Sequence, residues 1–536
     1  MKQLEPTHKE PWWNAMANVP AMVWVVIVLL LIARVVWQIV SPYTLIEDEA
    51  HYWEWSRRLD WSYYSKGPGV AWIIWVSTSI LGHTEYAIRI PAAAAAAAGT
   101  WAVAKMTKEH FEDQRLVFVS AILYACVPGF AVAAMVMTID SPYIASWAWA
   151  SLFALRAVLK GDKSSWVYFG IWIAIGFIFK YTILLLLPGV LLALFVSRAS
   201  RPKVNIKWLI SGLMVSLIGL VPVLVWNANH DWATVRHLLG HLGAPGGDTE
   251  QTAAYHADSW TILWMLEYVG LQMAVGGPVV FLSIFAWLNA RKHATKETQL
   301  VITTMIAMGL PILAFYFVVS LATQTEGNWA MGGFVTLIPA AAWAVLDGVG
   351  RVDHPVKFAW GAAVFMGVAV FLVFPGGTWL SNRSIVGPLI PLYRMTGMVD
   401  HAKDAQRVID ELRESTGLEP LVMSEHYGRA SLLAFYLDGQ PTVYCTSAQV
   451  GGRKTQYDMW EQTDLNNPQT IDAMLGRPGI LFGGRRDQWS CAFDQLMDIG
   501  KLINEPKEKN TTYTGLNFHT FDSWTAPARN DTPVAP

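Results

Sequence analysis

Apolar runs of about 20 residues recur through the first 375 positions of this chain, each long enough to cross a hydrocarbon layer as a helix. Such runs constrain the fold more than any other feature. Inside a bilayer the backbone must satisfy its own hydrogen bonds, so a repeated apolar run means a bundle of helices. Composition agrees, because 53% of the 536 residues are hydrophobic and only 15% are charged, against about a quarter charged in soluble proteins. The expected spans are 19–40, 88–105, 116–136, 142–159, 165–179, 182–197, 207–226, 273–290, 299–321, 330–347 and 356–375. That describes a polytopic α-helical membrane protein with about eleven transmembrane helices. A net charge of −2 and the lack of a basic tract give no sign of nucleic-acid binding.

Lysine and arginine set the sidedness. Lys105/Lys108/Arg115, Arg156/Lys160/Lys163, Arg198/Arg201/Lys203/Lys207, Arg291/Lys292/Lys296 and Arg351/Lys357 fall in alternate loops, while the opposite loops around Asp140, 227–258 and 323–329 share the single Arg236. The positive-inside rule then puts the N-terminus in the cytoplasm. The run 68–81 is short for a crossing, and counting it as one would invert every later loop, so it is expected to lie along the outer face. The first run, 19–40, lacks a cleavage site after it and reads as a retained span. The alanine run 92–98 suits close helix packing.

From about residue 376 the composition changes. Helical patterns at 400–416, 427–437, 467–475 and 491–502 alternate with short apolar runs at 420–423, 442–445 and 479–482, which predicts a C-terminal extracytoplasmic α/β domain over 376–536 with a disordered tail from 525. The first domain is expected to be 1–375, including an outer loop over 41–87. Gly451-Gly452-Arg453-Lys454 and Gly483-Gly484-Arg485-Arg486 read as basic turns and as candidate anion sites. Cys445 and Cys491 are either a disulfide or two free thiols.

Charged groups at membrane depth need a reason, since their burial is costly. Four places on the predicted outer face carry them: Asp48 and Glu49 with Lys66, Asp140 in MTIDSP, Lys180 in FKYT, and Glu326 with Asn328 and Trp329 in QTEGNW. A helix beginning near Asp48 would put Asp48, His51, Tyr52 and Trp55 on one face. Each place has a structural alternative. Asp48 and Glu49 also read as part of a polar loop with interfacial aromatics, Asp140 as an N-cap with Pro142 in the first turn, Lys180 as snorkelling to headgroups, and Glu326 as a loop acid. Arg89 begins a span and doubles as an interfacial anchor. Four such places on one face, with no equivalents on the other, favour a site.

The order DEAHYWEWSRRLDWSYYSKGPGVAW, EYAIRIPAA, MTIDSP, FKYT, PVLVWNANHDW and EGNWAMGGF resembles the membrane-embedded GT-C glycosyltransferases. Within them it resembles the bacterial protein-mannosyltransferase-like group, which includes the aminoarabinose and galacturonic acid transferases of lipid A. SEHYGRASLLAFYLDGQPTVY is similar to the tail domain of bacterial members, so the likeness runs from about residue 40 to 460. The resemblance implies a GT-C-like fold and transfer of a sugar from a polyprenyl-phosphate carrier to an acceptor hydroxyl of a lipid such as lipid A, a glycan or a protein. The place would be the periplasmic face of a bacterial inner membrane. It also implies that Asp48 and Asp140 are the acids of the two outer loops, with Glu49 beside the first. Lys66 stands where lipid A transferases have Lys-Pro-Pro, and this chain has Lys66-Gly67-Pro68-Gly69 instead. Lys180 matches a lysine found after the fifth span in relatives.

The residue types suit that chemistry on their own terms. A carboxylate takes the proton of the acceptor hydroxyl as the new bond forms, and cations such as Lys66, Lys180 or Arg89 meet the departing phosphate. Trp53, Trp55, Trp61, Tyr63 and Tyr64 are candidates for stacking on a sugar and equally for an aromatic belt. His237-x-x-x-His241 puts two ligand types at helical spacing but without a third, so a divalent cation stays an open cofactor. Two other readings share the polyprenyl-linked substrate. One is a transporter or flippase, for which internal repeats and midplane charges are expected and are absent from the sequence. The other is a ligase that moves a whole glycan.

Overall fold

In the computed structural model the described residues are 19–241, 246–248, 262–350, 354–381, 392–502 and 511–521; the expected tail from 525 lies outside them. The chain divides into two compact units. One comprises residues 1–41, 60–62 and 66–377, the other residues 42–59, 63–65 and 378–536.

The first unit is a helical bundle. Among the described residues five helices are long and apolar enough to span a membrane: Ala21–Val40 (within Val19–Val40), Glu85–His110, Ile206–Asn229, Lys296–Val319 and His354–Val373. Val19–Val40 buries a narrow stripe of Val23, Ile27, Arg34 and Gln38 and exposes Trp24, Val28, Leu29, Ile32, Val36 and Ile39, the pattern of a helix with one face on protein and the rest on lipid. The protein is thus a multi-pass helical membrane protein, in which several expected spans fall short of the usual length of about 20 residues. Gln114–Cys126, Ser165–Phe179 and Tyr181–Val196 are apolar helices of fewer than 18 residues, as is Gly69–Leu81, whose 13 residues rise only about 20 Å.

The interruptions have local causes. The expected span 116–136 stops at Cys126 and restarts at Pro128, because proline offers no N–H to continue the ladder. The expected span 273–290 straddles a break, with Leu263–Gly276 and Val279–His293 meeting at 86°. Gly277 there has φ +59°, a left-handed conformation that a side chain would disfavour, and Pro278 follows. The alanine run packs closely, as expected: Ala92, Ala93 and Ala96 are buried, and the Ser141 hydroxyl donates to the Ala92 carbonyl at 2.8 Å.

The second unit holds a five-stranded mixed sheet in the order β2-β1-β3-β5-β4, formed by Leu421–Ser424 (β1), Tyr444–Cys445 (β2), Gly479–Phe482 (β3), Phe493–Gly500 (β4) and Thr512–Phe518 (β5). β1 runs parallel to β2 and β3, whereas β5 is antiparallel to β3 and β4. The helix expected over 491–502 is in fact β4. Its apolar residues have helical spacing, but β5 supplies a ladder of partners and Phe493 packs on Phe518 at 5.3 Å, so pairing overrides local pattern. The helix expected over 467–475 shrinks to Pro468–Asp472. Met398–Thr416 and Tyr427–Tyr436 form as helices. Cys445 and Cys491 are free thiols. Part of the outer loop, residues 42–59, belongs to this unit instead of staying wholly with the spans, since the helix Glu47–Arg57 packs Trp53 edge-on against Phe435 at 4.9 Å.

Candidate functional site

In the helical unit, three segments far apart in sequence converge on Asp140. Asp140 is the first residue of the helix Asp140–Leu155, and Ile139 occupies the cap position, so the carboxylate does not serve as an N-cap. Lys180 interrupts two apolar stretches in extended conformation, φ −148° and ψ 120°. Its Nζ donates to Asp140 Oδ1 at 2.7 Å and to the Asn328 carbonyl at 3.1 Å. The Asn328 amide donates to Asp140 Oδ2 at 2.8 Å. Asp140 and Lys180 are 5% and 8% exposed, so Lys180 is spent on this cluster and does not reach for headgroups. An ammonium has three N–H donors; two are used, and the Tyr143 ring lies 5.2 Å from Nζ. Breaking a buried pair of this kind strands a charge.

Gly67 explains the departure from Lys-Pro-Pro. A Cβ there would sit 2.4 Å from the Ile178 carbonyl oxygen, so only glycine lets the Lys66 loop lie against the segment that ends in Lys180. Lys66 itself is half-buried, and its carbonyl accepts from the Ser62 hydroxyl at 3.2 Å. Arg89 is buried, 2% exposed, and so is not an interfacial anchor. Its carbonyl accepts from the Gln38 amide at 3.2 Å. Glu326 is exposed and takes no part in the Asp140 cluster, while Trp329 is half-buried with its ring 5.4 Å from Tyr316.

In the second unit, the acids of the opening motif separate. Asp48 is exposed in the first turn of the helix Glu47–Arg57, where a carboxylate complements the helix dipole. Glu49 is fully buried and accepts from the Ile46 N–H at 3.0 Å, capping its own helix as the N3 residue of a capping box does. His51, Tyr52 and Trp55 face inward. Trp55 Nε1 donates to His51 Nε2 at 3.1 Å, so that nitrogen bears no proton and Nδ1–H donates to Ser431 Oγ at 3.0 Å. The Ser431 hydroxyl donates to the Tyr427 carbonyl at 2.8 Å, which leaves Tyr457 as the donor in its 2.9 Å contact with Ser431. Burial lowers the His51 pKa to about 3, with Arg453 and His426 adding to it. His51 is structural by this geometry.

The aromatics divide in the same way. Tyr63 stacks on Trp55 at 4.4 Å and its hydroxyl donates to the Trp55 carbonyl at 3.1 Å. Trp53, Trp55, Tyr63 and Tyr64 are all buried, whereas Trp61 is 56% exposed. Among the described residues no group of three or more His, Cys, Asp or Glu is placed to hold a metal ion; His237 packs by Asp248, 3.4 Å away. Thr138 and Tyr143, which flank Asp140, and Gln38, whose amide reaches the carbonyls of Arg89 and Ala134 at 3.2 and 3.4 Å, had no signal in the sequence beyond being polar or aromatic near a span.

Residues 65–226 match the family described as dolichyl-phosphate-mannose-protein mannosyltransferase. A curated relative, the lipid A galacturonosyltransferase RgtD of Rhizobium johnstonii, is 26% identical over 303 residues, which is 55% of this chain and 59% of that protein. Among solved structures, ArnT from Cupriavidus metallidurans bound to undecaprenyl phosphate superposes with a TM-score of 0.58 at 15% identity, over 94% of this chain and 98% of that one. Its apo form gives 0.57 at 14% identity, over 92% and 98%. The chain therefore has the fold of these ArnT structures over nearly its whole length, and the segment similar to the mannosyltransferase family takes in Lys66, Asp140 and Lys180.

Proposed function

We propose that this protein is an inverting glycosyltransferase that moves a sugar from a polyprenyl-phosphate carrier to an acceptor hydroxyl. The observation that carries the reading is the Asp140–Lys180–Asn328 cluster. A lysine buried among spans, oriented by a carboxylate and a carbonyl and still holding one N–H, suits a phosphate oxygen arriving from the lipid phase. Lys66 and Arg89 are assigned to the same phosphate, and Asn328 and Trp329 to the loop that frames the cluster. Asp48 is assigned as the base, because Glu49 is committed to its helix end. In the reaction the acceptor oxygen bonds to the anomeric carbon and its proton passes to the Asp48 carboxylate. The bond from the anomeric carbon to the phosphate oxygen breaks, and its electron pair leaves on the carrier phosphate. One displacement inverts the anomeric centre. No general acid is needed, because the leaving phosphate is stabilised by cations.

A lipid acceptor is supported by the curated relative, named for transfer to lipid A, and a polyprenyl carrier by the solved ArnT complex with undecaprenyl phosphate. The basic loops support a periplasmic site in a bacterial inner membrane with the N-terminus inside. The test is mass spectrometry of envelope lipids and glycans from a deletion strain carrying wild type or Asp48→Asn. Wild type should restore a missing sugar and Asp48→Asn should not. Equal restoration by both removes Asp48 as the base. Restoration of sidedness without any new glycosidic bond would identify a flippase instead.

A further inference from the structure

The turn 451–454 carries a cation that the transfer chemistry above does not use. Gly451 has φ +83°, and the Gly452 N–H donates to the Ser447 carbonyl at 2.8 Å. A Cβ on residue 452 would meet the Ser447 hydroxyl at 2.4 Å. Two glycines are therefore needed to close the turn, and the closed turn seats the Arg453 guanidinium 5.3 Å from the centre of the Tyr427 ring. Tyr427 opens the helix Tyr427–Tyr436, which meets the first turn of Glu47–Arg57. A Cβ on Gly428 would lie 2.6 Å from Glu47 Cβ, and His426 Nδ1 is 3.9 Å from Glu47 Oε1. The Tyr427 hydroxyl reports who surrounds it. Its pKa is pushed up to about 12 by burial and then by Asp48, while Arg453 opposes the rise and Glu47 adds to it. All these residues belong to the second unit.

Arg453 is exposed and differs from three other arginines on that unit. Arg407 pairs with Glu411, Arg413 with Asp410 and Glu419, and Arg485 with Asp487. Among the described residues Arg453 has the Tyr427 ring and hydroxyl and no carboxylate within ion-pair distance. Stacking on a ring holds a guanidinium in place while its planar edge stays available to an oxyanion.

We propose that Arg453, seated over Tyr427 beside Asp48, binds an oxyanion, a carboxylate or phosphate borne by the transferred sugar or by its acceptor. The proposal rests on the reading that Asp48 receives the acceptor's proton. Asp48 itself would repel such a group, so Arg453 offsets that repulsion and holds the substrate's charge away from the base. The match to a charged substrate is bidentate, and lysine does not reproduce it.

The test uses the full-length protein in detergent and an arginine-selective dicarbonyl reagent, with modification of Arg453 and of Arg485 followed by peptide mass spectrometry. Galacturonate, galactose and inorganic phosphate are the added probes. Slower modification of Arg453 with galacturonate alone assigns a sugar carboxylate, with phosphate alone a phosphate group, and with both a shared oxyanion site. No slowing, equal slowing by galactose, or equal slowing at Arg485 overturns the proposal. In transfer assays Arg453→Gln should raise KM for an anion-bearing substrate about tenfold, the worth of one charge-assisted contact, and leave the neutral counterpart unchanged; an equal loss with both substrates counts against the site. Protection of Arg453 in a protein that transfers no sugar would leave the oxyanion site standing and remove the transferase reading.

Discussion

Asp140 and Asp48 both occupy the first turn of a helix, yet their surroundings differ, and the proposed mechanism gives them opposite tasks. Asp140 is buried, with one oxygen on Lys180 and the other on Asn328. Asp48 is exposed, and Glu49 next to it takes the helix-capping duty. A carboxylate whose oxygens are both engaged by fixed donors organises a site. A carboxylate at an accessible helix start can meet a substrate proton. Adjacent acids in a sequence motif are therefore not interchangeable, and neither are equivalent acids on successive loops.

The largest effect should come from Asp48→Asn, which keeps the helix start and removes the proposed proton acceptor. Loss of a general base typically costs about 10²–10⁴ in rate, and single-turnover transfer should fall by that much while thermal unfolding stays close to wild type. Asp140→Asn should act on stability as well as on phosphate binding through Lys180. It strands Lys180, a loss of about 3–5 kcal/mol for a buried pair, and adding Lys180→Met should recover part of it in detergent unfolding experiments. A double variant no better than Asp140→Asn would mean the pair is not coupled.

A moderate effect is expected from pH on the second unit. Burial holds the pKa of His51 at about 3 and that of His401 at about 4, both below the usual 6.5. The unfolded chain binds protons on both below pH 6.5 while the folded chain does not, so stability should fall as pH drops from about 6.5 towards 4. Asp458 opposes this, since burial raises its pKa from 3.8 to about 6 and the folded state then holds the extra proton between those values. Two histidines against one aspartate leave a net loss on acidification, measurable as a falling Tm. His51→Gln should flatten that slope. The smallest effect belongs to Asp487→Ala, which removes an exposed, solvent-screened partner of Arg485 and should leave the unfolding temperature close to wild type.

Much of this arrangement was legible in the sequence where it depends on local pattern. Val19–Val40 and Lys296–Val319 follow from apolar length alone, and Asp140, Lys180 and Asn328 stood out because charge and amide groups are costly beside spans. Their mutual bonding was not legible, because it joins segments 40 and 148 residues apart. The 86° break at Gly277–Pro278 carried a Gly-Pro signal that apolar length masked. Phe493–Gly500 became a strand through a partner with no clear apolar pattern of its own, Thr512–Phe518. Glu49 could be told from Asp48 only once the helix start was fixed at Glu47.

The division of labour between Asp48 and Asp140 is tested most directly by measuring polyprenyl-phosphate binding and sugar transfer side by side in nanodiscs for both Asn variants. Asp48→Asn should bind the lipid phosphate as wild type does and fail to transfer, whereas Asp140→Asn should lose binding. Transfer at the wild-type rate by Asp48→Asn, or unchanged binding by Asp140→Asn, would contradict the assignment.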